Sequence, residues 1–405
     1  MARLSETDVH DYVRGICFKT GPPGRVGVEA EWLVHDPRRP GEPVPLDHLS
    51  AIVAEAGPPP AGSAITYEPG GQLELSSPPQ DGPAAAHAAL TADLDHVEAP
   101  LHAAGLRLRG VGLDPHRAPK RQLTLPRYLA MERFFDAGWP SGRTMMCCTA
   151  SLQVCLDIGA TSGEAEHRWR LVNRLGPLFI AAFANSPTWR GRPTGWRSTR
   201  WAIWAAMDSS RTRPVPAGDP AEAWADYVLN ARVMTIRRDD LPWLSAPGLR
   251  FGEWLSGPDP LRPTMDDLQY HLTTLFPPVR PRGWLELRMI DALPQHWWPV
   301  PVAVAAALLD HPKATEEAFA ATDELWHGGE PGPGDWLAAA RDALTDPRLA
   351  AAARTCFAAA AVALPDQGAA GLVPLVDAYR ERYVERGRCP ADEAPGRQAG
   401  EGGRE

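Results

Sequence analysis

Val26-Gly-Val-Glu-Ala-Glu-Trp-Leu-Val34 is the stretch around which the rest of the chain is read. Its β-branched residues favour a strand, and strand side chains alternate between two faces. Val26, Val28, Ala30, Trp32 and Val34 then share an apolar face, while Glu29 and Glu31 share the other. Two carboxylates about 6 to 7 Å apart along a strand repel, and they stay in water unless positive charge lies between them. A hard cation with oxygen ligands answers that need. A lone Glu-x-Glu is more often the solvated face of a half-buried strand, so a chemical role depends on what accompanies it.

The chain has 405 residues, enough for one large domain or two ordinary ones, with a core that needs no staples. Hydrophobic residues make up 44% and charged residues 22%, the balance of a soluble globular protein, while 43 Pro and 36 Gly imply many loops. The 15 Trp point to a wide, partly apolar cavity or to heavy sheet packing. A formal charge of -9 without any Lys/Arg-rich run argues against nucleic acid as a partner. Cys17, Cys147, Cys148, Cys155, Cys356 and Cys389 form no CxxC pair and have no His at zinc-like spacing, so neither a disulfide framework nor structural zinc is indicated. A reducing cytoplasm fits that usage. Met1 to Thr20 lacks the apolar core of a signal peptide, and no segment reaches the ~18 to 20 apolar residues of a membrane span.

Ser5 with Asp8 resembles a capping box for a helix over 6–18, which Gly21-Pro-Pro-Gly24 stops. After the Glu29/Glu31 strand comes a Pro-rich run with one short helix near 46–56. Next, a strand is expected over 66–76, where Leu73 and Leu75 point one way and Gln72, Glu74 and Ser76 the other. Helical spacing covers 83–104, followed by a strand over 106–112. The longest alternating pattern runs from Met145 to Ile158, with Thr149, Ser151, Gln153 and Asp157 on its polar face. Residues 163–184 read as a helix ending in Phe183-Ala-Asn-Ser-Pro187. The Arg/Trp-rich stretch holding Trp196, Arg197, Arg200, Trp201, Trp204, Asp208, Arg211 and Arg213 is either an anion site or a solvated helix face. Helix is expected over 221–237 and loop over 239–266, and Gly283 to Asp291 alternates Leu285, Leu287 and Met289 with Trp284, Glu286 and Arg288. Helices fill 299–386. A single catalytic domain over 1–388 and a disordered tail over 389–405 are expected.

Four strands therefore show an apolar and a polar face, and three polar faces carry Glu. The fold expected is α+β, an antiparallel sheet packed on helices by its outer face, its inner face lining an acidic cleft. Converging carboxylates cannot all stay ionised without cations, and Mg²⁺ or Mn²⁺ keeps open positions for phosphate. An acidic cleft flanked by Arg suits ATP-dependent chemistry, yet no GxxxxGK[ST] loop and no kinase signature is present.

Val28-Glu-Ala-Glu31, Glu68-Pro-Gly-Gly-Gln-Leu-Glu74, Thr149-Ala-Ser-Leu-Gln-Val154, Phe183-Ala-Asn-Ser-Pro187, Arg200 with Trp204, Asp208 and Arg211, and Leu285-Glu-Leu-Arg288 together resemble the ordered motifs of the glutamate-cysteine ligases of the plant and bacterial type. The likeness covers about residues 10–380 and is closest to the actinobacterial glutamate-cysteine ligase of ergothioneine biosynthesis. It implies a glutamine synthetase-like fold, a curved antiparallel sheet holding two or three Mg²⁺ ions, with Mn²⁺ an alternative, between ATP and glutamate. It also implies metal positions at Glu29 with Glu286 and around Glu31, Glu68 and Glu74. Arg288, Arg200 and Arg211 are implied as catalytic residues, and Gln153, Trp204, Arg200 and Arg288 as substrate-binding ones. The sequence departs from the plant pattern at Cys148, where an Arg is usual, and at Cys155, where Asn is usual.

The reaction so implied joins the γ-carboxylate of glutamate to the amine of cysteine through an acyl phosphate, with ATP consumed. Three other classes stay open on the residues alone: a carboxylate-amine ligase with another acceptor, including ammonia; a metal-dependent phosphohydrolase; and a non-catalytic binding protein. Small molecules rather than nucleic acid or membrane are the expected partners.

Overall fold

A computed structural model describes residues 4–237, 242–244, 247–258 and 262–393 of the chain. Its sheet follows from the alternating stretches. β1 (Arg25–His35) is central, flanked on one side by the hairpin of β2 (Ala64–Tyr67) and β3 (Leu73–Ser76) and on the other by β6 (Ser151–Asp157). Beyond β6 lie β10 (Trp284–Asp291) and β9 (Val279–Pro281), giving the order β2-β3-β1-β6-β10-β9 with every pairing antiparallel. Short β4 (Gln80–Asp81) and β5 (Arg107–Arg109) pair with the two ends of β1, and β7 (Thr188–Trp189) with β8 (Arg192–Pro193) forms a separate ribbon.

The apolar face of this sheet is the seat of the core. Val26, Val28, Trp32 and Val34 are all buried, as are Leu152, Val154, Leu156, Leu285 and Leu287. Three helices lie against it: α3 (Gly82–Ala103), α6 (Ser162–Phe183) and α12 (Pro299–Asp310). The remaining helices extend that layer or border the cleft. α1 (Glu6–Tyr12) opens the described chain with the expected box, in which Asp8 N–H donates to Ser5 Oγ at 3.2 Å and Ser5 N–H to the Asp8 carboxylate at 2.8 Å. α2 (Leu46–Glu55) matches its short pattern, and α4 (Pro126–Asp136) with α5 (Gly142–Cys148) fills a region the sequence pattern leaves blank. After α6 come α7 (Thr199–Ala205), α8 (Ser209–Thr212), α9 (Pro220–Asn230), α10 (Phe251–Leu255) and α11 (Met265–Leu272). The C-terminal layer is completed by α13 (Pro312–Trp326), α14 (Pro333–Asp342), α15 (Pro347–Ala363) and α16 (Val373–Arg382). No helix among the described residues is long and apolar enough to cross a membrane.

Six of the expected segments change. The strand over 66–76 is a hairpin, because Glu68 N–H donates to Gln72 O at 2.9 Å and Gly71 N–H to Glu68 O at 2.8 Å, which closes a turn. Its Gln72 is tied to the backbone oxygens of Thr149 and Met146 instead of facing the cleft. Met145 to Cys148 belong to α5, so an apolar alternation there coincides with a helical turn, and only 151–157 is strand. The strand over 106–112 shrinks to three residues, the helix over 221–237 ends at Asn230, and the loop over 239–266 contains α10. Finally, the tail expected from Cys389 begins later. Pro390–Glu393 form a 3-10 turn in which Ala391 N–H donates to Ala184 O at 3.0 Å and Asp392 pairs with Arg197 at 2.8 Å. Residues 394–405 lie outside the described residues.

On the cleft face the registers line up in rows: Gly27, Cys155, Glu286 and Arg280; then Ser76, Glu29 and Gln153; then Thr66, Glu74 and Glu31. A register shift between Leu287 and Ile290 places Arg288 in a bulge of β10. The hairpin turn is pressed onto α5. A Cβ on Gly70 would stand 2.1 Å from Cys147 O, and Gly71 has φ +89°. Gly70→Ala should therefore destabilise the fold by ~1 to 3 kcal/mol through forced backbone displacement, whereas Gly15→Ala, which meets nothing within 4 Å, should be near neutral. Urea denaturation of both variants checks this, and equal stabilities would refute it.

Candidate active site

Strand alternation on β1 delivers Glu29 and Glu31 to the cleft, where they find different neighbours. Glu31 accepts from the Ser151 backbone N–H at 2.8 Å and from its hydroxyl at 2.9 Å. Glu29, half-buried, has no hydrogen-bond donor and no ion pair among the described residues. Glu74 on β3 accepts from Thr66 Oγ1 at 2.6 Å and Ser76 Oγ at 3.1 Å, while the Glu68 carboxylate, at the hairpin turn, again lacks a donor among the described residues. These four acids line one cavity of about 190 Å³ together with Arg127, Arg200, Arg280 and Arg288. A larger cavity of about 580 Å³, bounded by Trp169, Trp336 and the Arg213–Gly218 segment, lies elsewhere and gathers no comparable set of acids.

Burial pushes the Glu29 carboxyl up to about 7, and Glu286 and then Glu74 add repulsion. Burial also raises Glu31, although Arg200 and the Ser151 donors oppose it. Glu74 rises through burial and the charge of Glu31. Glu68 goes well above the ordinary range through burial, Glu31 and Glu74. The cleft thus holds more acid than it can ionise unaided. Its donors around Glu31, Glu68 and Glu74 are carboxylate oxygens, the chemistry that fits a hard divalent cation.

Glu286 differs from the others. It is fully buried and stands behind the cavity lining, accepting from Arg280 Nε at 2.6 Å and Nη2 at 3.2 Å and from Arg288 Nη1 at 3.0 Å. Burial would raise its carboxyl, but Arg280, Arg288 and Arg282 hold it below the ordinary range. One ligand atom from each of Glu29, Cys155 and Glu286 nonetheless lies within 4.8 Å of the others.

The expected arginines divide. Arg288 lines the cavity and donates to Gln153 Oε1 at 2.5 Å, which keeps Gln153 on the cleft floor. Arg200, buried, donates to Arg288 O at 2.9 Å and approaches Asp291 at 3.7 Å, its guanidinium 5.5 Å from the centre of the Trp204 ring. Trp204 in turn donates its indole N–H to Phe276 O at 3.0 Å. Arg211, expected with the catalytic residues, lies outside the cavity lining. Its side chain is fully buried and donates to Asp208 at 3.1 Å, Thr274 O at 2.7 Å and Arg232 O at 2.5 Å, leaving it a structural tie. Burial also rules out the solvated helix face for Arg200 and Arg211.

Several lining residues were not singled out as site residues in the sequence: Arg127, Tyr128, Met131, Met145, Met146, Thr273, Phe276 and Arg280. A usable signal existed for Arg127, since Pro126 is a good first residue of a helix and places Arg127 in its first turn. Arg127 donates to Thr273 Oγ1 at 2.9 Å and Thr273 O at 3.0 Å and has no carboxylate partner among the described residues. Arg280 sits on a strand of three residues, too short to display a period.

Residues 25–404 match the profile of glutamate-cysteine ligase family 2 (GCS2). The chain is 43% identical over 394 residues to the glutamate-cysteine ligase EgtA of Mycobacterium tuberculosis, an alignment spanning 95% of this chain and 88% of that protein. It is 30% identical over 329 residues to the chloroplastic glutamate-cysteine ligase of Medicago truncatula, spanning 73% and 64%. Among solved structures, a bifunctional glutathione synthetase from Pasteurella multocida superposes with a TM-score of 0.54 at 14% identity, covering 95% of this chain and 51% of that one. That likeness bears out the fold expected from the sequence.

Glu29 offers a pH test. A carboxyl raised from 4.5 to about 7 binds more protons folded than unfolded, so it opposes folding increasingly as pH rises through that window. With EDTA present, the unfolding free energy of the wild type relative to Glu29→Gln should fall by ~1 to 3 kcal/mol between about pH 5 and pH 8. Comparison with the variant cancels the buried histidines, and added Mg²⁺ should remove most of the fall. Parallel curves for the two proteins would disprove the assignment.

Proposed function

The chain belongs to glutamate-cysteine ligase family 2, and from that premise we propose how its cleft works as an ATP-dependent ligase joining the γ-carboxylate of L-glutamate to the amine of L-cysteine. The observation that carries this reading is the convergence of Glu29, Glu31, Glu68 and Glu74, raised in pKa, with four arginines in one cavity. ATP and a divalent metal are general requirements of such a ligase. We assign the metal as Mg²⁺ in two or three positions, with Mn²⁺ as the alternative, held by Glu29 with Glu286 and by Glu31, Glu68 and Glu74. Bound there, it supplies charge neutralisation for phosphate and carboxylate oxygens.

A carboxylate is a poor electrophile. Attack by the glutamate γ-carboxylate on the ATP γ-phosphorus releases ADP and leaves an acyl phosphate, which the cysteine amine then attacks with loss of inorganic phosphate. Arg288, steadied by Gln153, and Arg200, braced by Trp204 and Asp291, present guanidinium groups to the crowding oxygens. Met131, Met145, Met146, Tyr128 and Phe276 give the cavity its apolar lining, a soft surface suited to a thiol, and Arg127 is the cation left for the acceptor carboxylate. The nucleotide base fits a neighbouring cavity of about 340 Å³, lined by Tyr12, Ile16, Gln269, Leu272 and Trp284 and sharing Thr273 and Arg280 with the acidic one. Arg280 and Arg282 stand where phosphates would cross. A single catalytic domain, a cytoplasmic location and supply of γ-glutamylcysteine for ergothioneine biosynthesis complete the proposal.

The chief competitor is a ligase using a different amine; against ammonia stands the Met-rich lining, since ammonia has no side chain to meet it and no carboxylate for Arg127. ADP release should require glutamate and an amine together, with kcat/KM falling from cysteine to 2-aminobutyrate by ~10 to 200-fold, the worth of a small pocket difference. Ammonia should be far poorer. A higher value for ammonia would reassign the acceptor, and ADP release without any amine would point to a phosphohydrolase. Arg288→Lys keeps charge but loses the fork geometry, so it should cost at least ~10-fold in kcat/KM. Full activity in that variant would reduce Arg288 to a counter-charge for Glu286.

A further inference from the structure

Cys155 occupies the cleft-facing position of β6 next after Gln153, where alternation sends its thiol toward the acidic side of the sheet. It is half-buried, and its partners across the two neighbouring strands are Gly27 and Glu286. Gly27 has no side chain, and a Cβ built there would come within 3.2 Å of Cys155 Cβ, so the space beside the thiol stays clear because that residue is glycine. Glu29, one row along, has no donor of its own among the described residues. The ligand atoms of Glu29, Cys155 and Glu286 lie within 4.8 Å of one another.

We propose that Cys155 joins Glu29 and Glu286 as a third ligand at that metal position, so that thiophilic divalent cations of the Zn²⁺, Cd²⁺ or Co²⁺ class bind there more tightly than the Mg²⁺ assigned to the ligase reaction. The inference rests on the assignment of Glu29 and Glu286 to a metal position and adds that a sulfur ligand there sets which cation binds best. Carboxylate oxygens alone suit Mg²⁺, whereas one thiolate among two carboxylates favours softer ions, for which sulfur is a stronger donor. Metal-sulfur and metal-oxygen bonds of ~2.3 and ~2.1 Å about a tetrahedral centre set donors ~3.4 to 3.6 Å apart, so shifts of ~1 Å close the observed set around an ion. Glu286 Oε2 is engaged by Arg280 at 2.6 Å and Arg288 at 3.0 Å, but Oε1 has only contacts of 3.2 Å from Arg280 and 3.6 Å from Arg282. Oε1, held by the longer contacts, is the oxygen that would exchange its Arg280 hydrogen bond for the ion. On binding, the Sγ–H bond breaks, a metal–Sγ bond forms and one proton passes to the buffer, with no electron transferred. The fourth position is left to water or a phosphate oxygen.

Titration of metal-free, full-length protein with Cd²⁺ tests this through the ultraviolet thiolate-to-cadmium charge-transfer band. One equivalent should develop the band in the wild type and release a proton. Cys155→Ser should lose the band and bind Cd²⁺ at least ~10-fold more weakly, an energy of ~1.4 kcal/mol, with Mg²⁺ affinity changed far less. Cys155→Ala, checked with the serine variant by circular dichroism, covers a failure of either to fold. No band in the wild type at saturating Cd²⁺, or a band that survives in both variants, overturns the proposal. If the preparation still makes γ-glutamylcysteine with Mg²⁺ and ATP in that case, the ligase reading stands and only the sulfur ligand falls. A Cys155-dependent band without any ligase activity upholds the sulfur ligand and overturns the ligase reading.

Discussion

Glu29 and Glu31 stand two residues apart on one face of β1, and two charges about 6.5 Å apart repel by about 2.5 kcal/mol at an effective dielectric of ~20. Glu68 and Glu74 enlarge that repulsion, and the few donors on the cleft face, from Ser151, Thr66 and Ser76, relieve only Glu31 and Glu74. What keeps the strand in place lies behind it. Val26, Val28, Trp32 and Val34 are each no more than 2% exposed, and a fully buried apolar side chain is worth ~1.5 to 3 kcal/mol. The four together exceed the pairwise repulsion several-fold. An unfavourable charge arrangement can therefore persist on one face because the other face is anchored, β1 against α3 and its sheet neighbours β6 and β10 against α12 and α6.

The arginines extend this logic by separating structural charge from available charge. Arg280 and Arg288 converge on Glu286, and Arg200 leans on Asp291, whose carboxylate also accepts from Ser186, Ser198 and the Asn185 backbone. Removing one member of such a buried set strands a charge, so these groups are stable in position. Arg211 is an extreme case, with its donors spent on Asp208 and on two backbone carbonyls. It is tied to the cleft lining through its own carbonyl, which accepts from Phe276 N–H at 2.7 Å. Arg127 stands apart because its guanidinium is oriented by Thr273 without being neutralised. Orientation without neutralisation is what a binding cation needs.

How much of this was legible depends on whether the signal was periodic. β1 and β10 were readable because alternation sustained over eight or more residues seldom arises outside a strand. The hairpin at 64–76 was half readable. Its Gly70-Gly71 pair marked a turn, but the requirement that Gly70 lie against Cys147 is a contact between segments far apart in sequence. Met145 to Cys148 misled because a four-residue apolar run satisfies a strand and a helical turn equally. Among site residues, the acidic ones stood out through their motifs, whereas Met131, Met145, Met146 and Phe276 look like any core residue until the cavity is seen. Arg211 erred in the other direction, since a motif position cannot distinguish a charge that faces substrate from one that ties loops together.

Cavity size carries the last step. About 190 Å³ between the carboxylates falls below the ~300 Å³ at which drug-sized ligands are usually enclosed, so nucleotide, glutamate and acceptor cannot all sit within it. On the proposed assignment the base occupies the adjoining space of about 340 Å³ and the phosphates cross where Thr273 and Arg280 border both cavities. Thr273 is also the residue that orients Arg127, the cation proposed for the acceptor carboxylate. Arg280 also neutralises Glu286. The two side chains at the seam therefore border both compartments, and on that assignment a nucleotide that shifts Thr273 acts directly on Arg127, while one that shifts Arg280 acts on Glu286. On the same assignment, coupling between the two half-reactions would run through the Arg127–Thr273 hydrogen-bonded pair, with no long pathway required.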